Sequence, residues 1–178
     1  MVPPARAAVV RLLNFAGVRI EQGHPTPARS PQPLPSLRSA ALDEARRLAH
    51  FRIGVPAQLG VPDDVQLADP GPDGAPRVVS LLYRARAVRL DEFDGQLDWA
   101  YLKTQPAPDF QWVQIHDGSG MWLPTAHSVT YVDRQGQPHT ETARLAGPTL
   151  IWTDGMVTYR LEGFSTLDQA ISVALSVG

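Results

Sequence analysis

The stretch TLIWTDGMVTYRLEG, Thr149 to Gly163, decides the fold. Two runs rich in β-branched and aromatic residues, Thr149 to Thr153 and Met156 to Leu161, flank the pair Asp154-Gly155. That arrangement is the strongest hairpin signal in the chain, because Gly supplies the positive φ that a two-residue turn demands. Immediately after it, Ser165 or Thr166 is placed to cap a closing helix whose Leu167, Ala170, Ile171, Ala174 and Leu175 share one face.

Working outward, the two-residue period persists. Gln111 to His116 and Gly120 to Leu123 flank the turn Asp117-Gly118-Ser119-Gly120. Ser128 to Val132 is expected to pair with Thr140 to Leu145 across residues 133 to 136, and Leu97 to Lys103 alternates as a further strand. Val78 to Tyr83 reads as an apolar strand, with another carrying Val88 and Leu90. Upstream, Ser39 is expected to cap a helix through Ala49 with the stripe Leu42, Ala45, Leu48 and Ala49. Phe51 to Val55 then reads as a strand stopped by Pro56, and turns are expected at residues 61 to 64 and 69 to 74. The expected class is α+β: an antiparallel meander covered on one face by an N-terminal and a C-terminal helix.

The compact domain is expected over residues 36 to 178. Residues 1 to 35 read as a basic, proline-rich segment: a short helix over Ala5 to Asn14, a strand at Val18 to Glu21, and a spacer from His24 to Pro35. Charge is distributed unevenly. Residues 1 to 89 hold 12 Arg against 7 acids, and residues 90 to 178 hold 4 bases against 11 acids. A net charge of −2 speaks against strong nonspecific nucleic-acid binding. The absence of cysteine excludes disulfides, thiol catalysis and Cys-based zinc sites. No run reaches the 18 or so apolar residues of a membrane span.

The chemistry-bearing residues are sparse. His127 and His139 with Asp117 lack any HxH, HxxxH or HExxH spacing, so no metal is expected. Ser119, His127 and Asp117 do not compose a nucleophile elbow, and the acid pairs Asp63-Asp64 and Asp91-Glu92 read as solvated turn residues. Four tryptophans, Trp99, Trp112, Trp122 and Trp152, fall in expected strands, where core packing is favoured over an aromatic binding face. No catalytic residue, cofactor or metal ligand is expected; the residues set aside for a ligand or interaction surface are Trp112, Trp122, His127 and Trp152.

Several blocks together resemble a family. They are Leu42-Asp43-Glu44-Ala45-Arg46-Arg47, Phe51 with Val55-Pro56-Ala57 and Leu59-Gly60, and Gly120-Met121-Trp122-Leu123 with His127. The closing block adds Arg144 to Gly147, Leu150-Ile151-Trp152, Val157 to Gly163 and Ala170 to Ser176. These resemble the extracytoplasmic domain of bacterial single-pass, anti-sigma-factor-like membrane regulators and related envelope proteins. The likeness covers residues 36 to 178 and departs from the pattern at Pro148 and at Pro124-Thr125. The resemblance implies a non-enzymatic sensory or protein-interaction module on the outer face of a cell membrane. It also implies an anchor helix upstream of Pro3 and an unidentified protein partner or envelope signal. A module that binds a lipid or other apolar ligand between sheet and helix is the alternative expectation.

Overall fold

A computed structural model describes residues 11–15, 18–22, 36–94, 111–124, 128–132, 138–140 and 147–178. The expected hairpin is present: β11 (Thr149–Asp154) pairs antiparallel with β12 (Val157–Glu162), with Trp152 opposite Tyr159 and Asp154 opposite Val157. The turn residues are therefore Gly155 and Met156, and Gly155 takes the positive φ, 56°.

This hairpin sits inside a sheet of eight strands. The others are β3 (Arg38–Ala40), β4 (Asp64–Pro70), β5 (Pro76–Tyr83), β6 (Val88–Asp94), β7 (Gln111–Ile115) and β8 (Gly118–Leu123). Their order is β3-β4-β5-β6-β12-β11-β8-β7, all antiparallel. The last hairpin thus inserts between two blocks of earlier strands, with Leu161 opposite Leu90 on one side and Leu150 opposite Trp122 on the other. The physical reason is its composition. Every residue of β12 and all of β11 but Asp154 are buried, with Val157, Tyr159 and Leu161 of β12 on one face and Thr158, Arg160 and Glu162 on the other, and strands buried on both faces belong in the middle of a sheet.

A second sheet has the order β1-β2-β9-β10, built from β1 (Arg11–Phe15), β2 (Val18–Gln22), β9 (Ser128–Val132) and β10 (Pro138–Thr140). Pairing of β2 with β9, Ile20 opposite Val129, joins N-terminal strands to strands far along the chain.

The helices are short: α1 (Leu42–Leu48) and α2 (Leu167–Ala174). Ala45 of α1 and Ala170, Val173 and Ala174 of α2 enter the core on one face of the large sheet. There they meet Val79, Leu81, Leu90, Leu150, Leu161, Trp122 and Trp152, and Trp152 stacks on Tyr159 at a centroid distance of 4.9 Å. The opposite face is buried as thoroughly, through Val78, Leu82, Phe93, Met121, Leu123 and Ile151.

Several expectations are corrected. The architecture is strand-dominated, not an α+β meander covered by an N-terminal and a C-terminal helix: the β6–β12 neighbours break the meander, and two helices of 7 and 8 residues cannot cover eight strands. The helix expected over Ala5 to Asn14 is contradicted where it can be seen, since Arg11–Phe15 is a strand with Leu13 opposite Ile20. Apolar residues at 12, 13 and 15 satisfy either period, and strand pairing settles it. Ser39 lies in β3, and α1 begins after Ala41 without a side-chain cap. Residues 51 to 55 form no strand, whereas Asp64–Pro70, read as turns and connecting chain, is one. The strand expected at 97 to 103, the spacer and most of the segment 140 to 145 lie outside the described residues.

Candidate functional site

The loop between β5 and β6 is Arg84-Ala85-Arg86-Ala87, which contains none of the Gly, Asn or Asp residues that tight turns favour. Arg84, Ala85 and Arg86 nonetheless adopt φ of 53°, 52° and 71° in succession. Each left-handed residue with a Cβ costs about 1–2 kcal/mol, so such a loop persists only where its surroundings hold it. The clamp is the acid pair that reads in the sequence as solvated turn residues. Asp63 Oδ2 accepts from the Ala85 N–H at 2.9 Å, and Asp64 Oδ2 accepts from Arg86 Nη2 at 2.8 Å. From the other side, Gly163 lets the chain leaving β12 press against the loop. A Cβ there would lie 2.2 Å from the Ala87 carbonyl oxygen, and its φ of 102° suits only glycine.

This clamped loop stands beside Phe164, whose ring centroid lies 5.8 Å from the Arg84 guanidinium carbon. Arg84 makes no ion pair among the described residues. Two open clefts share the wall Gly163-Phe164-Ser165. One, about 300 Å³, is lined also by Arg86, Arg89, Pro148 and Glu162. The other, about 590 Å³, is lined also by Gln58, Arg84, Asp168, Gln169 and Ser172. Together they make a groove bearing guanidinium, amide and hydroxyl groups, with the carboxylates of Glu162 and Asp168, around one aromatic ring.

Behind the smaller cleft lies a buried ionic cluster on the sheet face opposite the helices. Arg89 Nε donates to Asp91 Oδ1 at 2.7 Å, and Ser80 Oγ donates to the same oxygen. Arg160 Nη2 lies 2.7 Å from Asp91 Oδ2, a charge contact short of hydrogen-bond geometry, and 3.1 Å from Glu162 Oε1. Burial alone would raise the Asp91 carboxyl, but Arg89 and Arg160, with the Ser80 hydroxyl, hold it below the ordinary carboxylate range. Among the described residues two cations and two anions meet here, and the cluster fixes Arg89 and Glu162 where they line the cleft.

Glu92, one residue on, points into the other face and is fully buried. Its Oε2 accepts from the Gly54 N–H at 2.9 Å, while Oε1 and the Tyr83 hydroxyl have no hydrogen-bond partner among the described residues. Burial, with Asp91 nearby, pushes this carboxyl up to about 8 against the opposing Gly54 hydrogen bond. Burial, and then Glu92, push the Tyr83 and Tyr159 hydroxyls above the ordinary phenol range.

The four residues chosen from the sequence do not form one surface. Trp122 and Trp152 are interior, Trp112 lies 40% exposed on the edge strand β7, and His127 is outside the described residues. His139 sits in β10 opposite Tyr131, in the other sheet from the Asp117 turn. No group of three His, Cys, Asp or Glu side chains is arranged for a metal among the described residues. Sequence reading missed Arg84, Arg86 and Phe164. The available signal was a four-residue hairpin loop devoid of turn residues, a local conflict of the kind that marks special sites.

No family model, curated protein or solved structure matches this chain. Among the described residues no helix is long and apolar enough to cross a membrane.

Proposed function

We propose that this chain is a non-enzymatic recognition module that reads a protein partner or envelope signal through the groove around Phe164. In this reading it is the extracytoplasmic sensory or interaction part of a membrane-anchored, anti-sigma-like regulator. The observation that carries it is the strained Arg84-Ala85-Arg86 loop, clamped by Asp63 and Asp64 against Gly163. Strain held by this many contacts presents two arginines beside an aromatic ring at fixed positions, and preorganised arginine and aromatic groups are what interfaces use as anchors. The Arg84 guanidinium with the Gln58 and Gln169 amides suits main-chain carbonyls and a carboxylate of an extended peptide, and a guanidinium is no proton acceptor at neutral pH. The extracytoplasmic placement rests on the sequence resemblance. An apolar ligand between sheet and helices is disfavoured because Trp152, Tyr159, Leu161 and Ala170 fill that space.

The test is site-directed photo-crosslinking in cells from Gln169 and Ser172, which line the larger cleft. A discrete crosslinked partner that is lost with Arg84→Ala supports the reading. Crosslinks that persist in that variant, or that form only from the β7 edge at Gln114, overturn it.

A further inference from the structure

One wall of the groove is a segment without helix or strand, anchored by buried Ile53 and by Phe51, Val55 and Leu59 packed against the core. Gln58, which lines the larger cleft, donates from Nε2 to the Ser172 carbonyl at 2.9 Å and to its hydroxyl at 2.8 Å. It belongs to an irregular segment running from α1 past the C-terminal residues. Val55 N–H donates to the Gly178 oxygen at 3.3 Å, Ala57 N–H to the Ser176 carbonyl at 2.8 Å, and Pro56 bridges to Val177. Among the described residues one hydrogen bond ties this segment to a strand of the large sheet, from Gly54 N–H to the buried Glu92 carboxyl. The approach there is close: a Cβ on Gly54 would sit 2.4 Å from Val177 Cγ1 and 3.3 Å from the Tyr159 hydroxyl.

We propose that Glu92 is the latch of the segment beside this groove: as a neutral acid it holds Gly54, and as a carboxylate it loosens the segment that leads to Gln58, whose own bonds run to Ser172 and Ser176. The site is built for the neutral form. Beside Glu92 stand the un-ionised Tyr159 from β12 and Tyr83 from β5, and the helices contribute Ala45, Ala170, Val173 and Ala174, none of them charged. Asp91 acts from its own strand with the repelling sign. Arg52 and Asp154 act on Tyr159 with opposite signs, and neither is a partner of Glu92. A charge created here has one donor in hand, the Gly54 amide, and requires water for the rest. Strand β6 is held in register along its length by β5 and β12, whereas the segment 54–58 is held by single bonds to the C-terminal residues and belongs to no sheet, so water reaches the charge by displacing that segment.

The proposal takes its consequence, a change in the groove, from the recognition reading, but the latch itself is measured without any partner. The experiment follows amide hydrogen exchange and the Glu92 side-chain carboxyl ¹³C shift by NMR on the intact chain between pH 5 and 9. After correction for intrinsic exchange, protection at Gly54, Val55 and Ala57 is expected to fall about tenfold per pH unit until Glu92 is ionised. It should stay below that of Leu81 and Leu90 at every pH, and Glu92→Gln should remove the pH dependence in this segment. If that variant does not fold, the wild-type ¹³C titration still decides. Ionisation of Glu92 with flat protection at Gly54 overturns the latch, as does protection there equal to that of Leu81 throughout. Arg84→Ala leaves this pH dependence intact, so failure of the groove reading and failure of the latch are separate results.

Discussion

Asp91 and Glu92 are neighbours on one central strand and face opposite sides of the same sheet. Both are buried, yet they are held in opposite protonation states. Asp91 meets two guanidinium groups and a hydroxyl and is kept charged; Glu92 meets two phenols, one amide and aliphatic groups and is kept neutral. Burial raises both carboxyls, so the difference lies wholly in the partners each face supplies. The comparison teaches that this sheet has two unlike interiors: an ionic face that backs the smaller cleft, and a neutral face whose acid holds Gly54 in the segment leading to the larger one.

The largest expected effect tests the neutral face. Because Glu92 is raised in the folded chain, its stabilisation is fully present below the unfolded value of 4.5 and is lost as pH rises to about 8. The total cost is on the order of 5 kcal/mol, and urea unfolding at stepped pH should show it as a falling midpoint. Glu92→Gln should flatten that slope; a midpoint in wild type that does not change from pH 5 to 8 would remove the contrast.

The ionic face behaves in the reverse sense. Asp91, held low, contributes stability above its unfolded value of 3.8 that is lost as pH falls through the folded value. Asp91→Ala leaves Arg89 and Arg160 buried without their shared anion, an expected loss of about 3–5 kcal/mol in denaturant titrations. An unchanged midpoint in this variant would mean that the cluster is dispensable.

Smaller effects probe the loop between the clefts. Gly163→Ala should cost about 2 kcal/mol or more in thermal unfolding, since it combines positive φ with a clash against backbone that cannot turn aside. Ala85→Gly should stabilise by about 1 kcal/mol by releasing left-handed strain, without altering crosslinking from Gln169. Trp112→Ala on the edge strand should cost less than the roughly 3–5 kcal/mol expected of the interior Trp152→Ala. Equal losses at the two tryptophans would show that the edge is as well packed as the centre.

Much of the strand content was legible without coordinates, because alternation and turn residues act locally. The hairpin around Gly155, the strand at Val78 to Tyr83, the strand pair between Gln111 and Leu123 and the closing helix after Thr166 follow from neighbours in sequence, although the two turns fall at Gly155-Met156 and His116-Asp117 rather than at Asp154-Gly155 and Asp117 to Gly120. The candidate site was not legible. Asp63-Asp64 and Asp91-Glu92 look alike as acid pairs, yet one pair clamps a strained loop and the other splits across a sheet. Nothing within a few residues of either pair announces this, since the partners Ala85, Arg160 and Gly54 arrive from distant segments.

By itself, then, the amino-acid order determined the local elements: apolar periodicity marked strands and the closing helix, and Gly155 marked the turn. Tertiary structure alone decided that the last hairpin lies in the middle of the sheet, that Arg11–Phe15 extends rather than coils, and that adjacent carboxyls differ in charge. The reason is one of range. Turn and period preferences are worth tenths to about 1 kcal/mol and are set by near neighbours, whereas burying or pairing a charge is worth several and depends on groups that only folding brings together.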